Sequence, residues 1–146
     1  MKLHTIDMKN YKDFDLKALI SKNGEYEYNQ KHMEEFIKNP YTVLFVATEE
    51  NAIVGFAYGY ILPLPEYTRP VLQICAIELV DAYKNVGAGK IMLKGIIECA
   101  NKEDAFSALT FMLSESEKYK PTFSKLECNL LDTTLYNFQF KPLNKK

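Results

Sequence analysis

The stretch Ile77-Glu78-Leu79-Val80-Asp81-Ala82-Tyr83-Lys84-Asn85-Val86-Gly87-Ala88-Gly89-Lys90 holds the residue types best suited to chemistry. An apolar run passes into a turn with two glycines and then into a helical pattern. A helix that opens there leaves its first N–H groups unpaired at the positive end of its dipole, a ready site for an anion. Gly87 and Gly89 carry no Cβ, so phosphate oxygens can come close to the backbone. Each dipole contact is worth roughly 0.3–1 kcal/mol when exposed, so several N–H groups must act together. Lys84 and Lys90 add positive charge. The alternative is a bare strand-to-helix turn with no ligand. Just before it, Glu78 is flanked by Ile77 and Leu79, and strand alternation turns its carboxylate to the opposite face. By itself a carboxylate there reads as a solvated or ion-paired group.

Two nucleotide motifs fail on spacing. A P-loop needs G-x-x-x-x-G-K followed by a hydroxyl residue; Lys84 stands at the first glycine and Ile91 at the hydroxyl position. A Rossmann fingerprint needs three spaced glycines after the first strand of a parallel unit, and only Gly87 and Gly89 are present. Arg69 is the sole arginine, so bidentate guanidinium clamps are scarce. Phosphate here must be held by backbone N–H groups and lysines.

The elements that position these residues can be read from periodicity. Residues 2–6 predict a strand, 8–20 and 28–38 two amphipathic helices, the second ended by Asn39-Pro40. Runs 41–48 and 52–62, joined by Glu49-Glu50-Asn51, predict an antiparallel hairpin. After a proline-rich loop, 71–80 predicts a strand, 88–102 a helix, 107–113 a strand and 119–127 a short helix. The final run, 135–141, alternates Tyr136, Phe138 and Phe140 against Asn137, Gln139 and Lys141, as a half-buried strand does. This order implies an α+β fold, a mixed sheet with helices on its faces.

At 146 residues the chain is the length of one domain, expected to run 1–146. With 47% hydrophobic and 25% charged residues it has the composition of a globular protein. A net charge of −1 argues against a nucleic-acid or anionic-membrane partner. Cys75, Cys99 and Cys128 are far apart, and His4 and His32 are isolated, so neither a disulfide framework nor a metal site is expected. Reduced thiols, an N-terminus interrupted early by charge and no apolar run of membrane length point to the cytoplasm.

The glycine turn resembles the acetyl-CoA pyrophosphate loop of the GNAT superfamily of N-acetyltransferases, L-x-V-x-x-x-(Y/F)-(R/Q)-x-x-G-x-(G/A). Here it reads Ile77-x-Leu79-x-x-x-Tyr83-Lys84-x-x-Gly87-x-Gly89, with Lys84 in place of arginine or glutamine. The likeness extends to the element order over nearly the whole chain. It implies a mainly antiparallel sheet splayed between the fourth strand (71–80) and the fifth (107–113). It also implies acetyl-CoA as co-substrate, its pyrophosphate on Lys84, Asn85, Val86, Gly87, Ala88, Gly89 and Lys90. The pantetheine arm would pair with backbone near Ile77 and Leu79, where an N–H would also polarise the thioester carbonyl. The implied reaction is acetyl transfer to a primary amine of a small molecule or peptide, with a homodimer left open; a catalytically silent CoA-binding or interaction module is the alternative.

By the same resemblance Glu78 is the candidate base. The thiolate acid is usually a tyrosine, and two placements compete. Leu135-Tyr136 supplies the residues but leaves too little chain for the family's last strands. The preferred placement, 122–128, puts Phe123 at the tyrosine position, where it cannot donate a proton. Tyr119, four residues earlier, is the substitute if the helix includes it; Pro121 as the helix start would exclude it, leaving water. Glu25, Glu27, Glu34 and Glu35 fall where the family forms its acceptor cleft, as a cation-attracting or simply solvated surface. A partial likeness of Gly59-Tyr60-Ile61-Leu62-Pro63, Glu66 and Arg69 to small aminoglycoside 3-N-acetyltransferases hints at a polar amine acceptor. The carboxylate of that group falls near Ala76 here, so its catalytic residue does not carry over.

Overall fold

The structure is a computed structural model, and it describes residues 1–17, 28–83 and 87–110. The chain divides into two units, Met1–Ser114 and Glu115–Lys146, and every described residue lies in the first. Strands β1 (Lys2–Thr5), β2 (Thr42–Glu49), β3 (Ala52–Leu62), β4 (Val71–Leu79) and β5 (Ser107–Thr110) form one sheet in the order 1-2-3-4-5. Helices α1 (Gln30–Lys38) and α2 (Ala88–Lys102) accompany it. The first four strands pair antiparallel, and β4 pairs with β5 parallel, from Val71 opposite Ser107 to Ile74 opposite Thr110. This is the mixed, mainly antiparallel α+β sheet expected. Residues 111–113, the predicted helix 119–127 and the predicted strand 135–141 lie outside the described residues.

The β2–β3 hairpin turns on Glu50 and Asn51, both at positive φ (48° and 66°), as a two-residue turn matching the strand twist demands. Val43–Thr48 are buried without alternation, because helices cover both faces of this inner strand. On one face, Phe36 of α1 meets Tyr58 and Tyr60 edge-on at 5.7 and 5.5 Å, above a core of Ile6, Leu16, Leu44 and Val46. On the other, Ala88, Met92, Ile96 and Ala100 give α2 a buried stripe four residues apart. Leu3 packs against α2 at Gly95, and Leu79 approaches it at Gly89.

The helix expected over 8–20 is not formed at its start. Asp7 accepts through its carboxylate from the N–H groups of Lys9 and Asn10, and the Asn10 side chain donates to Thr5 O. These local bonds compete with helix formation. A single 3₁₀ turn, Tyr11–Asp13, follows, then extended Phe14; helical backbone begins only at Leu16. The second helix begins two residues later than expected, at Gln30, because Asn29 caps it by accepting from His32 N–H at 3.0 Å.

Candidate active site

Strand β4 is irregular where the site is centred. Tyr58 lies opposite Ala76 but Gly59 opposite Ile74, so Cys75 is an extra residue in a β-bulge. Gly59 makes the bulge sterically possible: a Cβ there would collide with the carbonyl oxygen of Gln73. The bulge resets alternation. Gln73 and Ala76 share one face, as do Ile74 and Ile77 on the other, since residues directly opposite point the same way. Beyond it alternation resumes, placing half-buried Glu78 on the α1 face and buried Leu79 on the α2 face, as expected for these two.

Glu78 ends a row that crosses four strands in register: His4, Val46, Phe56, Glu78. Three strand spacings separate its ends by roughly 14 Å. His4, Phe56 and Glu78 of this row line a cleft of about 690 Å³, to which Phe14, Thr48, Asp13 and Asp15 also contribute. Asp13 and Asp15 are exposed at its side. With Glu78 they make three carboxylates, against one lysine, Lys2, in the lining.

His4 is therefore not an isolated surface histidine. Its Nε2 lies 2.8 Å from the buried hydroxyl of Thr48, and its ring packs on Phe14 at 5.0 Å. The register between β1 and β2 brings these residues together across forty-odd positions, which no local pattern announces. The glutamates singled out near the early helices contribute less. Glu34 accepts from Gln30 and Glu35 pairs with Lys31, both along α1, while Glu25 and Glu27 lie outside the described residues.

The C-terminal end of β4 leads directly to the glycine turn. Val80 N–H donates to Val54 O at 2.8 Å, extending the ladder by one bond, and a 3₁₀ turn spans Asp81–Tyr83. Lys84, Asn85 and Val86 lie outside the described residues. Gly87 caps α2 in the left-handed region (φ 85°, ψ 0°), a conformation that favours glycine. Ile91 N–H donates to Gly87 O, so the N–H groups of Ala88, Gly89 and Lys90 precede the first bond inside the helix. Among the described residues, a Cβ on Gly87 would meet nothing within 4 Å. Such room beside a helix N-terminus can take a diphosphate. The Ala88 side chain is buried, Gly89 is half-buried and Lys90 is exposed, so the Lys90 ammonium is free to turn outward. Ile77 is half-buried on the α2 face. Tyr119, the candidate acid, lies outside the described residues.

Cys75, on the bulge, and Cys99, on α2, are both free thiols. Burial pushes the Cys75 thiol up; burial first, then the Glu103 carboxylate, does the same to Cys99. Among the described residues, no group of three or more His, Cys, Asp or Glu is placed to hold a metal ion. No described helix is long and apolar enough to cross a membrane.

A parallel β4–β5 pair, a bulged β4 and a glycine-capped helix at its end make an open α+β sheet with a candidate anion site where β4 leads into α2. The sequence profile of the acetyltransferase (GNAT) family matches residues 13–118, and the chain belongs to that family. It is an acetyl-CoA-dependent N-acetyltransferase. No curated protein sequence matches it. Among solved structures it resembles the aminoglycoside acetyltransferase HMB0005 from an uncultured soil metagenomic sample, with a TM-score of 0.82 at 16% identity over 96% of this chain and 98% of that one. The ribosomal-protein-alanine N-acetyltransferase of Brucella melitensis biovar Abortus 2308 superposes with a TM-score of 0.75 at 15% identity over 96% and 100% of the two chains. The aminoglycoside acetyltransferase AAC(6')-Iy, bound to a CoA-containing bisubstrate analogue, gives 0.76 at 12% over 96% and 98%.

Proposed function

We propose that this N-acetyltransferase acts on a primary amine of a polar, cationic small molecule or peptide. The observation that carries this is the cleft beside Glu78, where three carboxylates meet one lysine. Acetyl-CoA lies along β4, its pyrophosphate on the N–H groups that open α2, with Lys84 and Lys90 supplying charge. Backbone of Ile77 and Leu79 pairs with its arm, and an N–H in this strand polarises the thioester carbonyl as negative charge develops there. The acceptor enters from the α1 face. Glu78 takes the proton of the attacking amine, directly or through a water, and the thiolate is protonated by Tyr119 or by water. Asp13 and Asp15 draw a cationic acceptor toward the cleft.

The names of two neighbours supply a class of acceptor that fits: aminoglycosides are polar and carry several amines. The chain works in the cytoplasm as one domain, 1–146, where its thiols stay reduced. Thiol release from acetyl-CoA, followed across aminoglycosides, polyamines, amino acids and peptide N-termini, tests the reading. Faster release with acceptors bearing two or more amines is the expected result. Release that no acceptor accelerates would mean hydrolysis only and would sink the assignment.

A further inference from the structure

The only arginine of the chain makes three contacts on one turn that lies 35 residues further along. Arg69, in the loop before β4, donates from Nε to Asp104 O at 2.9 Å and from Nη2 to Ala105 O at 3.2 Å. Its Nη2 also lies 3.1 Å from the Asp104 carboxylate. Asp104 is held at φ 54°, where a non-glycine residue is strained. Phe106 N–H donates to Pro70 O at 3.1 Å, and the Tyr67 and Phe106 rings pack at 4.8 Å. The first β4–β5 pair, Val71 opposite Ser107, follows immediately.

We propose that Arg69 is a positioning residue for acetyl-CoA: by holding the Asp104–Ala105 turn it fixes where β5 starts beside β4, and so the room left for the co-substrate along β4. This rests on the reading that acetyl-CoA lies against β4. Parallel strands cannot share a tight turn, so their register must be set by whatever joins the preceding segments. Here the joining group is a guanidinium whose planar fork serves two carbonyls and a carboxylate together. A lysine ammonium is a single point donor without that fork. Asp104 N–H and Ala105 N–H donate to Asn101 O and Ala100 O, closing the end of α2, so the turn keeps its own shape without the arginine. What the clamp adds is the tie to the segment before β4, and without it the start of β5 is released.

The test is calorimetric titration of the full chain with acetyl-CoA, together with thermal melting, for Arg69→Ala, Asp104→Gly and the double variant. Arg69→Ala is expected to weaken acetyl-CoA binding roughly tenfold or more, as ångström-scale misplacement of a binding surface does. Asp104→Gly alone, which leaves both carbonyl bonds to Arg69, keeps most of the affinity, and adding it to Arg69→Ala recovers none of the loss. A merely structural arginine would lower the melting temperature and leave the affinity of the folded protein unchanged, which overturns the proposal. Recovery of affinity when Asp104→Gly is added to Arg69→Ala would trace the loss to strain in the turn and also overturns it. Should Arg69→Ala not fold, Arg69→Lys, keeping one donor, is titrated instead with the same expectations. A wild-type chain that does not bind acetyl-CoA would overturn the underlying reading, a result separate from either of these.

Discussion

At the scale of single residues, Glu78 and Cys75 make separable predictions from neighbouring positions of β4. Glu78 stands on the face that carries the cleft, so as a base it acts in the chemical step alone. Glu78→Gln keeps the shape and removes proton acceptance; kcat is expected to fall roughly 10²–10⁴-fold, the contribution of a positioned base. Acetyl-CoA affinity should stay near wild type, and full activity would show that water or the acceptor handles the proton. Cys75 tests the environment of the bulge. Burial disfavours its charged form and raises its pKa, so at a given pH less of it is thiolate than in a free thiol. In a variant with serine at 99 and 128, alkylation at neutral pH should be slower than that of glutathione, with the gap narrowing as pH rises through the raised pKa. Equal rates at all pH values would mean that the sulfur is fully hydrated.

At the scale of elements, the bulge is where the sequence was least informative. The strands themselves were legible: 52–62 and helix 88–102 stand where periodicity put them, because their apolar spacing reports burial directly. Strand 71–80 was legible as a strand, and so was the orientation of Glu78 against Ile77 and Leu79, all beyond the irregularity. The extra residue at Cys75 was not, because a bulge shows only when two strands are compared position by position. The signal lay in β3, in Gly59, a glycine inside a run of aromatic and β-branched residues. His4 and Thr48 were missed for a similar reason, since they meet through register and not through spacing. The helix expected from residue 8 failed because Asp7 and Asn10 offered the backbone better local partners. Gly59→Ala tests the bulge. Its methyl group would press on the Gln73 carbonyl, a backbone atom with little freedom to yield, and both Gln73 C and Ile74 Cα would lie 3.0 Å away. A loss of about 1–3 kcal/mol in urea unfolding is expected, the range for overpacking. Unchanged stability would mean that the strands part easily at this point.

At the scale of the whole molecule, folding and the proposed acetyl-CoA site meet at Gly87, and the two can be pulled apart. The residue is at φ 85° and a Cβ would meet no atom of the described residues within 4 Å, so the folding cost expected of a side chain there is conformational. Gly87→Ala should cost roughly 1–2 kcal/mol without ligand, the penalty for an L-residue in the left-handed region. Gly87→Asn should cost less, because asparagine enters that region more readily. Acetyl-CoA binds only the folded chain, and at a hundred times its Kd it adds about 2.7 kcal/mol of stability. For a domain of this size each kcal/mol moves the melting temperature by about 2–4 °C, so the wild-type rise is well within measurement. Gly87→Glu projects a carboxylate into the space above the first N–H groups of α2, where the diphosphate is proposed to sit. It should melt lower than wild type without ligand and show little further rise with acetyl-CoA, whereas Gly87→Ala should start lower and still rise. Equal ligand-induced rises in wild type and Gly87→Glu would place the diphosphate elsewhere, even with the family and fold unchanged.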